Sequence, residues 1–271
     1  MVNLRLRERL NDDGVIVDCW LSGTSPSNAE LVGRLGFDSV VIDMQHTMAG
    51  FTDVAMCLLA LSGTGTTALV RVPGNDSSMI QRVLDAGADG VMCPLVNTPE
   101  EARRFVSAVR YPPLGTRSIG AYRTTESIVD HYRVANDQIF AAVQIETVEA
   151  MENLDEIAQT PGLDMLFVGP GDLAVSFGGD PVIDYADPET GERHRRIAAA
   201  AHRAGKTAGM LTFSEDDTRR AIEWGFDMVS VGMEGGLLVR GALQVLAEGR
   251  GLAAGRTSPT APVTEAGAEH G

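Results

Sequence analysis

The 271-residue sequence predicts a (β/α)8 barrel of the TIM type, and three observations point to it. Apolar runs alternate with amphipathic stretches from end to end. The runs are short, β-branched and apolar on both faces, as strands of a parallel sheet covered on both sides are. One helix-to-strand turn also recurs, as Leu35-Gly36-Phe37-Asp38, Ala86-Gly87-Ala88-Asp89 and Trp224-Gly225-Phe226-Asp227. Eight such units in ~250 residues is the count of a barrel. A doubly wound open sheet usually carries a glycine-rich phosphate fingerprint after its first strand, and none follows residues 15–20.

The strand candidates are residues 15–20, 39–42, 68–72, 90–93, 140–145, 165–168, 207–211 and 228–231. Helical periodicity marks 28–35, 77–85, 99–109, 148–159, 192–204 and 216–223, and Gly36, Gly87, Gly205 and Gly225 are placed to end helices. Residues 111–136 are rich in Pro, Gly, Arg and Tyr and read as a loop or lid with a helix inside it. Residues 1–14 alternate Arg with Leu, carry Glu8, Asp12 and Asp13, and read as a surface helix rather than a secretion or transit signal. The expected organisation is one barrel over 1–250 and a disordered Ala/Gly/Thr/Pro tail over 251–271.

Lys and Arg number 22 against 37 Asp and Glu, a net charge of −15, which argues against nucleic-acid and membrane-surface binding. No apolar run approaches the ~18 residues of a transmembrane helix. The three cysteines, Cys19, Cys57 and Cys93, fit neither a disulfide framework nor a zinc site. The expected location is the cytoplasm.

A barrel places its active site where the strands end. Strand two exits as Ile42-Asp43-Met44-Gln45-His46, strand three as Val70-Arg71-Val72-Pro73, strand five as Gln144-Ile145-Glu146-Thr147, and strand six as Val168-Gly169-Pro170-Gly171-Asp172. Singly these are ordinary: Asp43 or Asp172 caps a helix, Glu146 offsets a dipole, His46 lies on the surface. Jointly they put five ionisable groups on one rim, a costly arrangement unless they serve one another or a ligand. Two carboxylates on adjacent strands, with no Cys or second His nearby, make a hard oxygen site suited to Mg²⁺ or Mn²⁺. A 2-oxo acid would chelate such an ion through its carboxylate and keto oxygens, and the ion would polarise the carbonyl. The single lysine, Lys206, precedes strand seven at the opposite end of the barrel, so Schiff-base catalysis is excluded.

These segments resemble the HpcH/HpaI aldolases, class II pyruvate aldolases related to 4-hydroxy-2-oxoheptanedioate aldolase. The matching stretches also include Gly36-Phe37-Asp38, Leu84-Asp85-Ala86-Gly87 and Arg110-Tyr111-Pro112-Pro113-Leu114-Gly115-Thr116-Arg117, in the family's order over roughly residues 15 to 250. The resemblance implies that Glu146 and Asp172 hold a divalent ion, with Co²⁺ a further candidate and no nucleotide cofactor. Gln144 and the Gly169-Pro170-Gly171-Asp172 segment would bind the pyruvate portion, and Arg71 the enolate oxygen. His46 would be the general base, supported by Asp43 and by Asp85, the latter reaching in from a neighbouring subunit. It further implies a homohexamer, a trimer of dimers, with the helix over 232–247 exchanged between partners.

The implied activity is cleavage or formation of a 4-hydroxy-2-oxo acid, giving pyruvate or a close 2-oxo acid plus an aldehyde through an enolate held by the ion. Two departures stand near the reacting carbon: Gln45 and Thr47 flank His46, where many members have an acid and a small residue. Gly171 stands where relatives often have Ala. The alternatives are oxaloacetate decarboxylation or addition of the same enolate to another electrophile, and, more distantly, a citrate-lyase-like thioester reaction or a 2-oxo acid binder without turnover. In the 111–136 loop, Arg117, Tyr122, Arg123 and His131 are candidate contacts to an anionic acceptor, or a solvated loop with structural ion pairs.

Overall fold

The computed structural model describes Leu6, Leu10 and residues 14–120 and 128–254. Eight parallel strands close on themselves in chain order: β1 Ile16–Leu21, β2 Ser39–Asp43, β3 Thr67–Arg71, β4 Gly90–Cys93, β5 Phe140–Ile145, β6 Met165–Val168, β7 Thr207–Leu211 and β8 Met228–Met233. The helices between them are α1 Pro26–Gly33, α2 Phe51–Leu61, α3 Ser77–Asp85, α4 Pro99–Val109, α5 Ile128–Gln138, α6 Val148–Glu152, α7 Leu154–Ala158, α8 Pro170–Ser176, α9 Pro188–Arg203 and α10 Glu215–Glu223. The predicted TIM-type barrel is the observed one. The stretch expected as one helix over 148–159 is two short ones that break at Asn153.

Helix starts are specified locally. Pro at the first turn behind a capping Ser25, Thr98 or Asp187 begins α1, α4 and α9, because these side chains accept the otherwise unpaired first-turn N–H groups. The recurring turn has a second function, and a fourth copy at Gly162-Leu163-Asp164. Each glycine takes positive φ, and each aspartate accepts an N–H from the preceding strand: Asp38 from Val17, Asp89 from Ala68, Asp164 from Ala141 and Asp227 from Ala208, at 2.7–2.9 Å. Every even-numbered strand thus enters the barrel by capping the odd-numbered strand before it.

Inside the barrel, Ile16, Trp20, Val41, Leu69, Met92, Phe140, Ala142, Met165, Phe167 and Met228 form one core cluster. A Cβ at Gly90 would collide with the Phe140 backbone and a Leu69 methyl, and one at Gly209 with the Phe167 ring, so small residues on two strands make room for their neighbours. Leu6, in the stretch read as a surface helix, is helical, 2% exposed and belongs to the same cluster. His194 is buried; its Nδ1 lies 2.7 Å from the Thr190 carbonyl and its ring packs on Tyr185 and Trp224.

One ionisable group lies in the core. Asp18 of β1 is fully buried and accepts from Ser39 Oγ (2.7 Å) and Ser230 Oγ (2.8 Å). Burial pushes its carboxyl up to about 8 against the pull of those two hydroxyls. The folded state thus holds this proton more tightly than the unfolded chain, whose carboxyl titrates near 3.8. Wild-type stability relative to Asp18→Asn should therefore fall as pH rises from about 4 through about 8 and level off above. Melting temperatures of the two proteins across that range test this, and a gap independent of pH would refute it.

By internal contacts the chain divides into two compact units, Met1–Gly235 and Gly236–Gly271. The second consists, as far as it is described, of the remainder of helix α11, Glu234–Ala254, on which Leu238, Val239, Leu243, Val245, Leu246 and Leu252 are exposed. The tail expected from Gly251 begins as the last turn of this helix, and 255–271 lie outside the described residues. Among the described residues no helix is long and apolar enough to cross a membrane.

Candidate active site

The rim residues singled out in the sequence leave the barrel on adjacent strands, and several meet. Asp43 and Arg71 end β2 and β3 and stand directly opposite each other in register. Arg71 Nε donates to Asp43 Oδ1 at 2.9 Å and Nη2 to Oδ2 at 2.7 Å, a bidentate pair with both side chains out of solvent. The third guanidinium nitrogen, Nη1, reaches Gln144 Oε1 on β5 at 3.3 Å. The flat face of Arg71 rests on Trp20 of β1, 4.3 Å from the ring centroid, a contact typically worth about 0.5–2 kcal/mol. Edge and face of the guanidinium are both held.

Glu146 follows β5 and is 1% exposed. Its Oε1 accepts the Leu95 N–H at 2.7 Å, while Oε2 is buried without a hydrogen-bond partner. Leu95 is the one non-glycine residue at positive φ (+53°) among the described residues, a conformation that disfavours side chains. That strain aims its N–H at the carboxylate. Burial pushes the Glu146 carboxyl up to about 7; the Leu95 hydrogen bond opposes this, the charge of Asp172 adds to it, and Arg71 draws it down. Asp172 lies in the first turn of α8 and is exposed.

Gly169, across from Glu146, has a positional reason: a Cβ there would overlap Glu146 Oε2. Gly169→Ala should displace that carboxylate and lower affinity for a divalent cation, and turnover with it, by roughly 10–100-fold. Calorimetric titration with Mn²⁺ checks it; wild-type affinity would contradict the prediction. A Cβ at Gly171, by contrast, would meet nothing within 4 Å.

The donor set fits a hard cation. An unpartnered buried carboxylate oxygen is costly unless positive charge reaches it, and a second carboxylate stands close enough to repel it. Among the described residues no three of His, Cys, Asp and Glu are grouped to hold a metal, so Glu146 and Asp172 would leave the other positions to water and substrate oxygens.

Asp43, Asp85 and His46 make separate contacts. Asp43 is turned to Arg71, and its remaining contact is the Gln45 N–H at 2.9 Å, not His46. Asp85 accepts from Arg117 Nη2 at 2.9 Å within its own chain. His46 is exposed and makes no hydrogen bond among the described residues. Thr47 donates to the Asp43 carbonyl at 2.6 Å, which closes the turn that carries His46. In the 111–136 stretch, Arg117 is fully buried over Tyr111 rather than solvated, and Tyr122 and Arg123 lie outside the described residues.

Sequence reasoning missed Trp20, Leu95 and Glu234. Glu234 Oε2 accepts from Ser22 N, Ser22 Oγ and Gly23 N at 2.7–3.1 Å, so the residue directly after β8 holds the loop after β1. Only the polar Ser22-Gly23 after an apolar strand hinted at it.

The model of the HpcH/HpaI aldolase/citrate lyase family matches residues 17–241. The chain belongs to that family. It is accordingly a carbon–carbon lyase of the aldolase kind. The HpcH/HpaI chain is 38% identical over 234 residues to a hydroxypyruvate/pyruvate aldolase of Rhizorhabdus wittichii, covering 86% of this chain and 93% of the relative. It is 37% identical over 237 residues to a 5-keto-4-deoxy-D-glucarate aldolase of Shigella sonnei, covering 86% and 91%. The crystal structure of an HpcH/HpaI aldolase/citrate lyase family protein from Burkholderia cenocepacia superposes with a TM-score of 0.84 at 34% identity, over 90% of this chain and 98% of that one.

Proposed function

We propose that this enzyme cleaves or forms 4-hydroxy-2-oxo acids, with pyruvate or a close 2-oxo acid as one product and an aldehyde as the other. The observation that carries the reading is the buried Glu146 carboxylate with its empty-handed Oε2, set beside Asp172 and Arg71. The aldolase names of the two relatives support the reaction class and its keto-acid substrates.

Glu146 and Asp172 would hold a divalent cation, Mg²⁺, Mn²⁺ or Co²⁺, which when bound supplies Lewis-acid polarisation of the substrate's keto oxygen. Arg71, fixed along one edge by Asp43 and from below by Trp20, keeps its charge aimed at the oxygen on which negative charge develops. Gln144 lines the same floor and orients the keto-acid end. His46, standing free at the rim, takes the proton from the 4-hydroxyl, directly or through water, as the bond between C3 and C4 breaks. Imidazole is the side chain most often used for such proton transfer. The chain would work as a homohexamer, a trimer of dimers, and the exposed leucines and valines of α11 support an exchange of that helix between subunits.

The test is a panel of aldehydes with pyruvate and Mg²⁺, Mn²⁺ or Co²⁺, read by the mass of the adducts, with exchange of pyruvate methyl protons as a parallel readout. His46→Ala should retain cation and pyruvate binding and lose roughly 10²–10⁴-fold in aldol turnover. Undiminished turnover in that variant would remove His46 from the reaction.

A further inference from the structure

The Asp18 cluster and the active site are joined through one side chain. Trp20 is the residue on which Arg71 rests, and its indole Nε1 donates to Ser230 Oγ at 2.9 Å. Ser230 has a single proton, which goes to Asp18 Oδ2 at 2.8 Å, and Ser39 donates to Asp18 Oδ1 at 2.7 Å. Asp18 is paired in register with Ser39 on one side and Ser230 on the other, so the three stand at one level of the barrel. Trp20 is the next inward-facing residue of β1, between that level and the rim.

The chemistry of the hydroxyl makes the order matter. Ser230 Oγ accepts squarely from the indole only when its own proton is drawn elsewhere, and Asp18 is the acceptor that draws it. A buried carboxyl group is an expensive way to fill a barrel when an apolar side chain could stand there. What it adds is direction: one allowed hydroxyl orientation, and through it one ring orientation.

We propose that Asp18 and Ser230 are positioning residues for Arg71. They lock the tilt of Trp20, and the indole face together with Asp43 sets where the guanidinium meets the developing charge. This rests on the role of Arg71 proposed above. Arg71 is thereby held from two directions, by a carboxylate along its edge and by a hydrogen-bonded ring across its face.

The test combines single and double variants of the full-length enzyme with the indole N–H resonance of Trp20, identified by its loss in Trp20→Phe. Asp18→Asn and Ser230→Ala should each move that resonance and lower kcat roughly tenfold, with KM for the 2-oxo acid unchanged within about twofold. Trp20→Phe should lower kcat to a similar degree, and Asp18→Asn should cost nothing more in that background. Ser230→Thr, which keeps the hydroxyl, should restore the resonance and the rate. Losses that multiply in the double variant, or variants that lose only thermal stability, would overturn the proposal. Arg71→Ala measured alongside separates the two failures. Turnover that survives without Arg71 removes the reading of the site. Turnover that depends on Arg71 but is indifferent to Asp18 and Trp20 overturns the positioning role alone.

Discussion

Glu146→Gln should abolish cation-dependent turnover, by about 10³-fold or more, and leave the barrel as stable as before or slightly more so. The amide retains an oxygen to accept the Leu95 N–H, so the local backbone has no reason to move. What disappears is the negative charge at Oε2, which has no partner in the protein. Because burial and the neighbouring Asp172 already push this carboxyl up to about 7, the metal-free fold gains nothing from its ionisation. A carboxylate whose loss spares stability and abolishes turnover would mark a ligand position. Mn²⁺ titration, pyruvate proton exchange and thermal melts read the three consequences together. Undiminished Mn²⁺ affinity in the variant would eliminate Glu146 as a ligand.

Replacing Arg71 carries the second large effect, and it splits into two parts. Arg71→Ala leaves Asp43 buried and unpaired, which should destabilise the fold by about 3–5 kcal/mol. It also removes the charge proposed to meet the developing oxyanion, a loss of roughly 10²–10³-fold in kcat. Removing both partners separates the parts: Asp43→Leu with Arg71→Met should recover most of the stability in urea denaturation and none of the turnover. Arg71→Lys should fall between, since an ammonium neither pairs bidentately with Asp43 nor lies flat on Trp20. Full activity in Arg71→Lys would show that charge alone suffices and that the held geometry is immaterial.

Much of this site could be read along the chain because a parallel barrel delivers the ends of successive strands to one rim. Once 39–42, 68–72, 140–145 and 165–168 are recognised as strands, the residues after them are neighbours by topology. Asp43, Arg71 and Glu146 became candidates that way, while Gln144 came from the family resemblance. Partner choice was not legible. Asp43 lies three residues from His46 in the chain, yet its carboxylate faces Arg71, because β2 and β3 are in register at that pair. Asp85 pairs with Arg117, which a loop rich in proline and glycine brings back over Tyr111.

The sequence by itself determined the class of fold and pointed to the strand ends as the place to look for a site, because strand period, helix caps and the glycine–aspartate turn are local signals. The position of its single lysine, Lys206, before strand seven argued against lysine-based catalysis. The tertiary structure alone decided which groups touch: that Trp20 carries Arg71, that Leu95 at positive φ supplies an N–H to Glu146, that Gly169 leaves space for that carboxylate, and that a lone aspartate in β1 is tied to serines from β2 and β8. Such pairings join residues up to 212 positions apart, and no periodicity within a strand or helix encodes them. Barrel closure and the register between strands do, and these exist only once the chain has folded.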